Sequence, residues 1–147
     1  MDDAKNVLLV TNATTDAEIA QIKEAFLQAK QRNLHIRLSL VHVIPTLPTC
    51  YFNIPSMVLL AERYYEEAKQ SLISVGNTLG IAKKDQWLIT GRIKSEVLRL
   101  ATKLDTQFIL ASSISIQDLH KSFLFKKEQP TMPIKNINTV GSSLSSL

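Results

Sequence analysis

Residues 7–16 read VLLVTNATTD, and this stretch joins a strand to the start of a helix. Residues 7–11 form an uninterrupted apolar run, which is typical of a strand buried on both faces of a sheet. Thr15 and Glu18 have the spacing of a capping box. Apolar residues then recur on one helical face, at Ile19, Ile22, Phe26 and Ala29. The stretch predicts a strand, a turn and an amphipathic helix.

The same order of strand and helix repeats along the chain. Pro45 stops the second strand, and Gly80 and Gly91 lie where a helix and a strand are expected to end. The remaining predicted elements are a strand over 34–44, a proline-rich loop over 45–55, a helix over 56–79, a strand over 86–90, a helix over 93–104 and a strand over 106–111. This alternation predicts an α/β fold with an open parallel sheet, because parallel neighbours require crossover connections.

The signals weaken after residue 111. Ser115 and Asp118 indicate the start of a helix that extends to Lys127, and residues 133–140 predict a last strand. The serine-rich residues 141–147 are typical of a frayed terminus. The chain is therefore predicted to be one domain over residues 1–140, followed by a flexible tail over residues 141–147.

Composition excludes several classes of function. The 147 residues carry 17 Lys and Arg against 13 Asp and Glu, and no segment combines clustered cations with aromatic residues, so a nucleic-acid partner is not expected. Cys50 is the single cysteine, which excludes an internal disulfide, and no Cys/His spacing indicates a metal site. The acidic start and the shortness of the first apolar run predict no secretory signal and no membrane span, hence a cytoplasmic protein.

The chain resembles a universal stress protein domain over roughly its first 113 residues. Residues 7–14, VLLVTNAT, match the family opening I-L-V-x-V-D-G-S in type, and residues 40–45, LVHVIP, match the segment L-L-H-V-x-x-P. Residues 91–112 match the family run from a glycine through an amphipathic helix to a strand that ends in G-S. The resemblance implies a single-domain, Rossmann-like sheet of about five parallel strands, of the adenine nucleotide alpha hydrolase-like kind, flanked by helices.

Family members that bind ATP carry the loop G-x2-G-x9-G-[ST] after the fourth strand. Backbone amides must approach the phosphates closely there, which glycine permits. This chain has Ala111, Ile114 and Leu124 at the glycine positions and Phe125 in place of the hydroxyl residue. Ile114 is β-branched and would put bulk where the triphosphate lies in those members. The resemblance therefore favours the kind that does not bind ATP.

The rest of the implied nucleotide site is altered as well. The family aspartate that contacts adenosine corresponds to Asn12, which brings no charge. The family counterpart of Val43 meets adenine through its backbone, and we expect that backbone to remain available. The residues predicted to form a degenerate, adenosine-sized site are Thr11, Asn12, Val43, Gly91, Ala111 and Ser112.

The other chemically capable side chains have simpler interpretations. His42 lies in a strand and is predicted to be a hydrogen-bonded structural histidine; His120 with Lys121, Lys126 and Lys127 is predicted to be a solvated face, with an anion-attracting patch as the alternative. Cys50 is expected to be an inert thiol. The aromatic side chains of the loop and second helix are predicted to pack onto the sheet, with a partner-binding surface as the alternative; they are Tyr51, Phe52, Tyr64 and Tyr65.

No residue is a good catalytic candidate, since Ser112 and Ser113 lack the G-x-S-x-G context and a matched base. The resemblance implies a homodimer that pairs through a last strand, whose nearest match here begins at Met132-Pro133-Ile134 and is unusually polar. The function predicted is a non-catalytic stress-response or regulatory module without cofactor or metal, which acts through an unidentified protein partner. The alternative is a module that binds AMP or ATP; an enzyme would need a phosphate loop and a general base that we cannot locate.

Overall fold

Five parallel strands form one sheet in the computed structural model, which describes residues 4–32, 35–120 and 132–147. The strands lie side by side in the order β3-β2-β1-β4-β5, so that β1 is central and the chain winds first to one edge and then to the other. Their bounds are Lys5–Val10 for β1, Ile36–Ile44 for β2, Gln86–Thr90 for β3, Thr106–Ala111 for β4 and Ile134–Asn136 for β5. The predicted α/β fold class is confirmed.

Helices cover both faces of the sheet. Their bounds are Asp16–Gln31 for α1, Pro55–Leu79 for α2, Ile93–Lys103 for α3, Ser113–His120 for α4 and Val140–Ser145 for α5, with short 3-10 turns at Thr49–Asn53, Lys83–Asp85 and Ile137–Thr139. Val7 and Leu9 of β1 pack with α1, α2 and α5, whereas Leu8 and Val10 pack with α3 and α4. The central strand is buried on both faces, which explains why its sequence is apolar without alternation.

The helix ends follow the local sequence. Thr15 caps α1 as predicted: the Glu18 amide donates to Thr15 Oγ1 at 3.2 Å, and the Thr15 amide donates to Glu18 Oε1 at 3.0 Å. The longest helix, α2, begins with a proline and ends at Gly80, whose φ of 69° is left-handed and favours glycine.

The elements after residue 111 differ from the prediction. Helix α4 begins at Ser113 because Ser112, rather than Ser115, is its cap: the Ser115 amide donates to Ser112 Oγ at 3.2 Å. The predicted continuation to Lys127 lies outside the described residues. The last strand spans only Ile134–Asn136 of the predicted 133–140, because the Asn136 side chain accepts from the Asn138 amide at 2.9 Å and turns the chain.

The structure corrects the prediction that residues 141–147 form a flexible tail, because most of this segment is helical. Residues Val140–Ser145 form α5, and Val140 and Leu144 are 1% and 2% exposed in the core beside α1. These two side chains lie four residues apart and so share a helical face. A single apolar pair among serines gave too little periodicity to predict a helix.

No helix in the described parts of the chain is both long enough and apolar enough to span a membrane.

Candidate functional site

Two cavities open at the carboxyl ends of the strands, the edge at which open parallel sheets bind ligands. The first, which we call the α3 cavity, has a volume of about 810 Å³ and is lined by Asn12, Val43, the loop over 45–49, residues 91–95 and Asp118. The second, the α2 cavity, has a volume of about 710 Å³ and lies between β2, the loop after it and α2. The cavities adjoin each other, since they share Asn12, Val43 and part of the loop.

The side chain of Asn12 is hydrogen-bonded to both backbone groups of Val43. Asn12 Nδ2 donates to the Val43 carbonyl at 2.8 Å, and the Val43 amide donates to Asn12 Oδ1 at 2.9 Å. The carboxamide thereby continues the pairing of β1 with β2, where the Thr11 amide donates to the Val41 carbonyl at 2.8 Å. The expectation that the Val43 backbone remains available is therefore wrong, because the chain's own side chain takes both groups.

Ala13 follows in a left-handed conformation, with φ of 57°. A Cβ is disfavoured there by roughly 1–2 kcal/mol relative to a right-handed conformation. Ala13 corresponds to the glycine of the family opening described above. The turn therefore has the left-handed backbone that favours glycine, although alanine occupies the position. The turn is held in place by packing and by the Asn12 hydrogen bonds.

The predicted residues at the end of β4 line neither the α2 cavity nor the α3 cavity. Ala111 and Ser112 are 0% and 3% exposed, and Thr11 is equally buried. Besides capping α4, Ser112 is one of two serines directed at the end of β1: Ser115 Oγ donates to the Asn12 carbonyl at 2.7 Å, and Ser112 Oγ does so at 3.4 Å. These serines tie β4 and α4 to β1.

Ile114, which stands at a family glycine position, lies in the first turn of α4 with 65% of its surface exposed. Leu124 and Phe125, which occupy the other altered positions, lie outside the described residues. Of the predicted site residues, the structure thus brings together Asn12, Val43 and Gly91 at the α3 cavity.

Gly91 shapes the wall of the α3 cavity. Its φ of 156° and the 2.8 Å approach that a Cβ would make to Glu96 Cγ both favour glycine. Sequence reasoning missed the residues beside it, since Arg92 and Lys94 also line the cavity. The available signal was their position directly after a strand end, where the carboxyl edge of the sheet places side chains around a ligand.

The side chain of His42 lies on the face of β2 opposite to that of Val41 and Val43, and it lines the α2 cavity. The Thr11 hydroxyl is 3.1 Å from His42 Nδ1 and 3.2 Å from the Val41 carbonyl, to which it donates. Between Thr11 Oγ1 and His42 Nδ1, the tautomer of the imidazole decides which atom donates. The prediction of a hydrogen-bonded histidine is confirmed. Burial lowers the pKa of His42 below its ordinary value.

Replacing His42 with glutamine is expected to reduce the loss of stability on acidification. Because folding lowers the pKa of His42, the unfolded chain takes up the proton first, and the free energy of unfolding falls as the pH drops below about 6.5. Urea unfolding at pH 8 and pH 5.5 should show a loss up to about 1 kcal/mol larger in the wild type than in His42→Gln, after allowance for solvent screening. Equal losses would contradict this assignment, since every other titrating group is common to both proteins.

The remaining candidates are surface features. Cys50 is exposed and free. No group of three or more His, Cys, Asp and Glu within the described ranges could hold a metal ion. His120 ends α4, but its predicted lysine neighbours lie outside the described residues. Phe52, Tyr64 and Tyr65, which the sequence predicts to pack the loop onto the sheet and the second helix, are about half exposed and line the α2 cavity.

Comparisons with known proteins agree with this fold. The chain is 31% identical over 87 residues to universal stress protein A homolog 1 of Coxiella burnetii (strain RSA 493 / Nine Mile phase I), a match that spans 57% of this chain and 60% of the relative. The match thus covers less than two thirds of that relative's length. No protein-family model matches the chain.

Solved structures share the fold at low sequence identity. The protein MJ0577 superimposes with a TM-score of 0.64 at 17% identity, covering 90% of this chain and 94% of that chain. A Pseudomonas aeruginosa UCBPP-PA14 protein that bears the universal stress protein name superimposes with a TM-score of 0.55 at 13% identity, covering 97% of this chain and 52% of that one. Over 87 residues the chain is thus similar in sequence to a universal stress protein, and it shares the fold of these solved structures.

Proposed function

We propose that this chain is a non-catalytic regulatory domain of the stress-response type, with a degenerate nucleotide site, that acts through contacts with another protein. The observation that carries the proposal is the pair of hydrogen bonds between Asn12 and the Val43 backbone. In family members that bind adenine, this backbone meets the base. Here a nucleotide would have to displace an internal side chain before it could make the same contacts, and that displacement costs free energy.

The phosphate side of the cavity supports the same proposal. Ala111 is fully buried and Ile114 projects from the first turn of α4, so the backbone amides lack the glycines that would let phosphates approach. The hydroxyl of Thr11 contacts the imidazole of His42, but Thr11 is buried and its hydroxyl also bonds the Val41 carbonyl, which favours a binding role over catalysis.

We propose a homodimer in a cytoplasmic setting, with neither nucleic acid nor membrane as the partner. The edge strand β5, which spans only Ile134–Asn136, is the surface that the resemblance implies for pairing. A free, exposed Cys50 suits a reducing compartment. Lys135 on β5 would discourage further edge-to-edge association beyond a dimer.

A second candidate function is an adenine-nucleotide module that binds AMP or ATP without a glycine loop. The α3 cavity favours it, because about 810 Å³ is ample for a nucleotide and the cations Arg92 and Lys94 line its wall. In this alternative the cationic side chains would supply the attraction for phosphate that the backbone amides do not.

Calorimetric titration of nucleotide-free protein with Mg-ATP and with AMP distinguishes the two functions. We expect Mg-ATP to bind no more tightly than the millimolar range, or about −4 kcal/mol at a 1 M standard state. Micromolar binding that is weakened tenfold or more by Arg92→Ala, but not by Lys69→Ala, would establish the nucleotide module instead. Lys69 is an exposed cation of α2 that lines neither cavity, so the two variants change the net charge equally.

A further inference from the structure

Another cavity opens at the amino end of β2, at the opposite end of that strand from the α2 and α3 cavities. We call it the α1 cavity, because it lies between the second half of α1, the start of β2 and the end of α2. Its volume of about 410 Å³ falls within the range of roughly 300–1,000 Å³ that is usual for ligand pockets. It shares no lining residue with either of the other two cavities, so it is an independent candidate site.

Apolar side chains form most of the wall of the α1 cavity. Leu38 is 6% exposed at its base, whereas Leu27 keeps 54% of its surface exposed although it lines the cavity. Part of the apolar lining is therefore still open to solvent, and an apolar ligand that covered it would gain hydrophobic free energy. The apolar residues of the wall include Phe26, Leu27, Ile36, Leu38, Leu79 and Ile81.

Every polar side chain in the described lining of the α1 cavity is basic. These side chains are Lys23 and Lys30 of α1 and His35, which directly precedes β2. No aspartate, glutamate or hydroxyl-bearing residue belongs to that lining. Neither lysine forms an ion pair with a described residue. The cavity therefore combines apolar surface with positive charge that its own lining does not neutralise, and this charge attracts an anion.

The spacing along α1 places the cations and the apolar side chains on one stripe of the helix. Lys23, Phe26, Leu27 and Lys30 stand at positions i, i+3, i+4 and i+7, which share a helical face. Lys30 lies in the last turn, where the helix dipole by itself favours a cation. Lys23 lies about two turns before the end of α1, beyond the reach of that effect, so the dipole does not account for both lysines.

We infer that the α1 cavity binds a small organic anion with an apolar body, whose charged group lies at Lys23 and Lys30 and whose apolar part packs on the wall. This site goes beyond the proposed function, since it uses no residue of the implied nucleotide site and lies at the other end of β2. The outcome of the nucleotide titration has no bearing on it.

Three compounds with the same alkyl chain test the chemical class. Octanoate is an anion, 1-octanol is uncharged and octylammonium is a cation. We expect octanoate to bind about three- to tenfold more tightly than 1-octanol, because it adds charge-assisted contacts with lysine, and octylammonium to bind most weakly. Affinities are measured by calorimetry on the full chain at pH 8, below the concentration at which octanoate forms micelles. No binding of octanoate, or tighter binding of either other compound, would overturn the inference.

Charge reversal at one lysine tests the position of the anionic group. Lys23→Glu should weaken octanoate binding about fivefold or more but change 1-octanol binding less than about twofold. Lys69→Glu is the matched control, because it makes the same change in net charge at an exposed lysine of α2 that lines none of the three cavities. It should leave both affinities unchanged.

Shortening one apolar side chain tests the position of the alkyl chain. Leu27→Ala removes part of the wall and should weaken octanoate and 1-octanol alike, by about two- to fivefold. Leu59→Ala deletes the same atoms from a leucine of α2 that is 66% exposed and does not line the cavity, so it should have no effect.

Circular dichroism and the melting temperature establish that each variant is folded. Lys23 and Leu27 are both exposed, so we expect both variants to fold, and if one fails the other still decides the question. Unchanged octanoate affinity in folded Lys23→Glu or Leu27→Ala, or an equal loss in Lys69→Glu, would show that octanoate binds elsewhere and would overturn the assignment.

Discussion

Replacing Leu144 with alanine is expected to lower the free energy of unfolding by about 2–5 kcal/mol, the usual cost of removing a buried leucine side chain. Leu144 is only 2% exposed, and it belongs to the core cluster that contains Ile22 of α1 and Val7 and Leu9 of β1. The substitution would leave a cavity between α5 and α1 that neighbouring side chains could fill only in part. Urea unfolding followed by the fluorescence of Trp87, the single tryptophan, measures the change.

Leu59→Ala is the matched control for that measurement. It deletes the same atoms from a leucine that is 66% exposed, so we expect a change of about 0.5 kcal/mol or less. If residues 141–147 formed a flexible tail, the two variants would be almost equally stable. A small effect of Leu144→Ala would therefore contradict the placement of α5 in the core.

The contrast between α5 and β1 shows which parts of this fold are predictable from sequence. Residues 7–10 are apolar at every position because the strand is buried on both faces, and such a run is visible without any knowledge of its neighbours. In α5, by contrast, the buried residues are Val140, Ser143 and Leu144, so that only two of them are apolar. A segment this short becomes a helix because α1 offers it an apolar surface, and that surface is a property of the tertiary structure.

The candidate site was predictable only in its position. The order of strands and helices placed Asn12, Val43 and Gly91 at the carboxyl edge of the sheet, where the α3 cavity lies. The bond between Asn12 and the Val43 backbone joins residues 31 positions apart in sequence, and no local pattern encodes it. The half-exposed state of Tyr64 and Tyr65 is likewise not encoded locally, because the exposure of an aromatic ring on α2 depends on the path of the loop opposite it.

Replacing Asn12 with alanine is expected to lower the free energy of unfolding by about 2–4 kcal/mol. The substitution leaves the buried amide and carbonyl of Val43 without hydrogen-bond partners, and each such group costs roughly 1–3 kcal/mol. Val43 is 1% exposed, and both of its hydrogen bonds to Asn12 are shorter than 3 Å. Water that enters from the adjoining cavities would reduce the loss toward the lower figure. Urea unfolding measures it, with Asn77→Ala, an exposed asparagine of α2, as the control expected to change little.

Asn12→Asp separates the hydrogen-bonding role from the shape of the side chain. An ionised aspartate still accepts from the Val43 amide but presents a second acceptor oxygen to the Val43 carbonyl, so we expect it to be about as destabilising as alanine at pH 7. It also restores the charge that the family carries at this position. If Asn12→Asp proved as stable as the wild type, the Val43 carbonyl would not depend on a donor from its own chain, and the main support for a self-occupied, degenerate site would be lost.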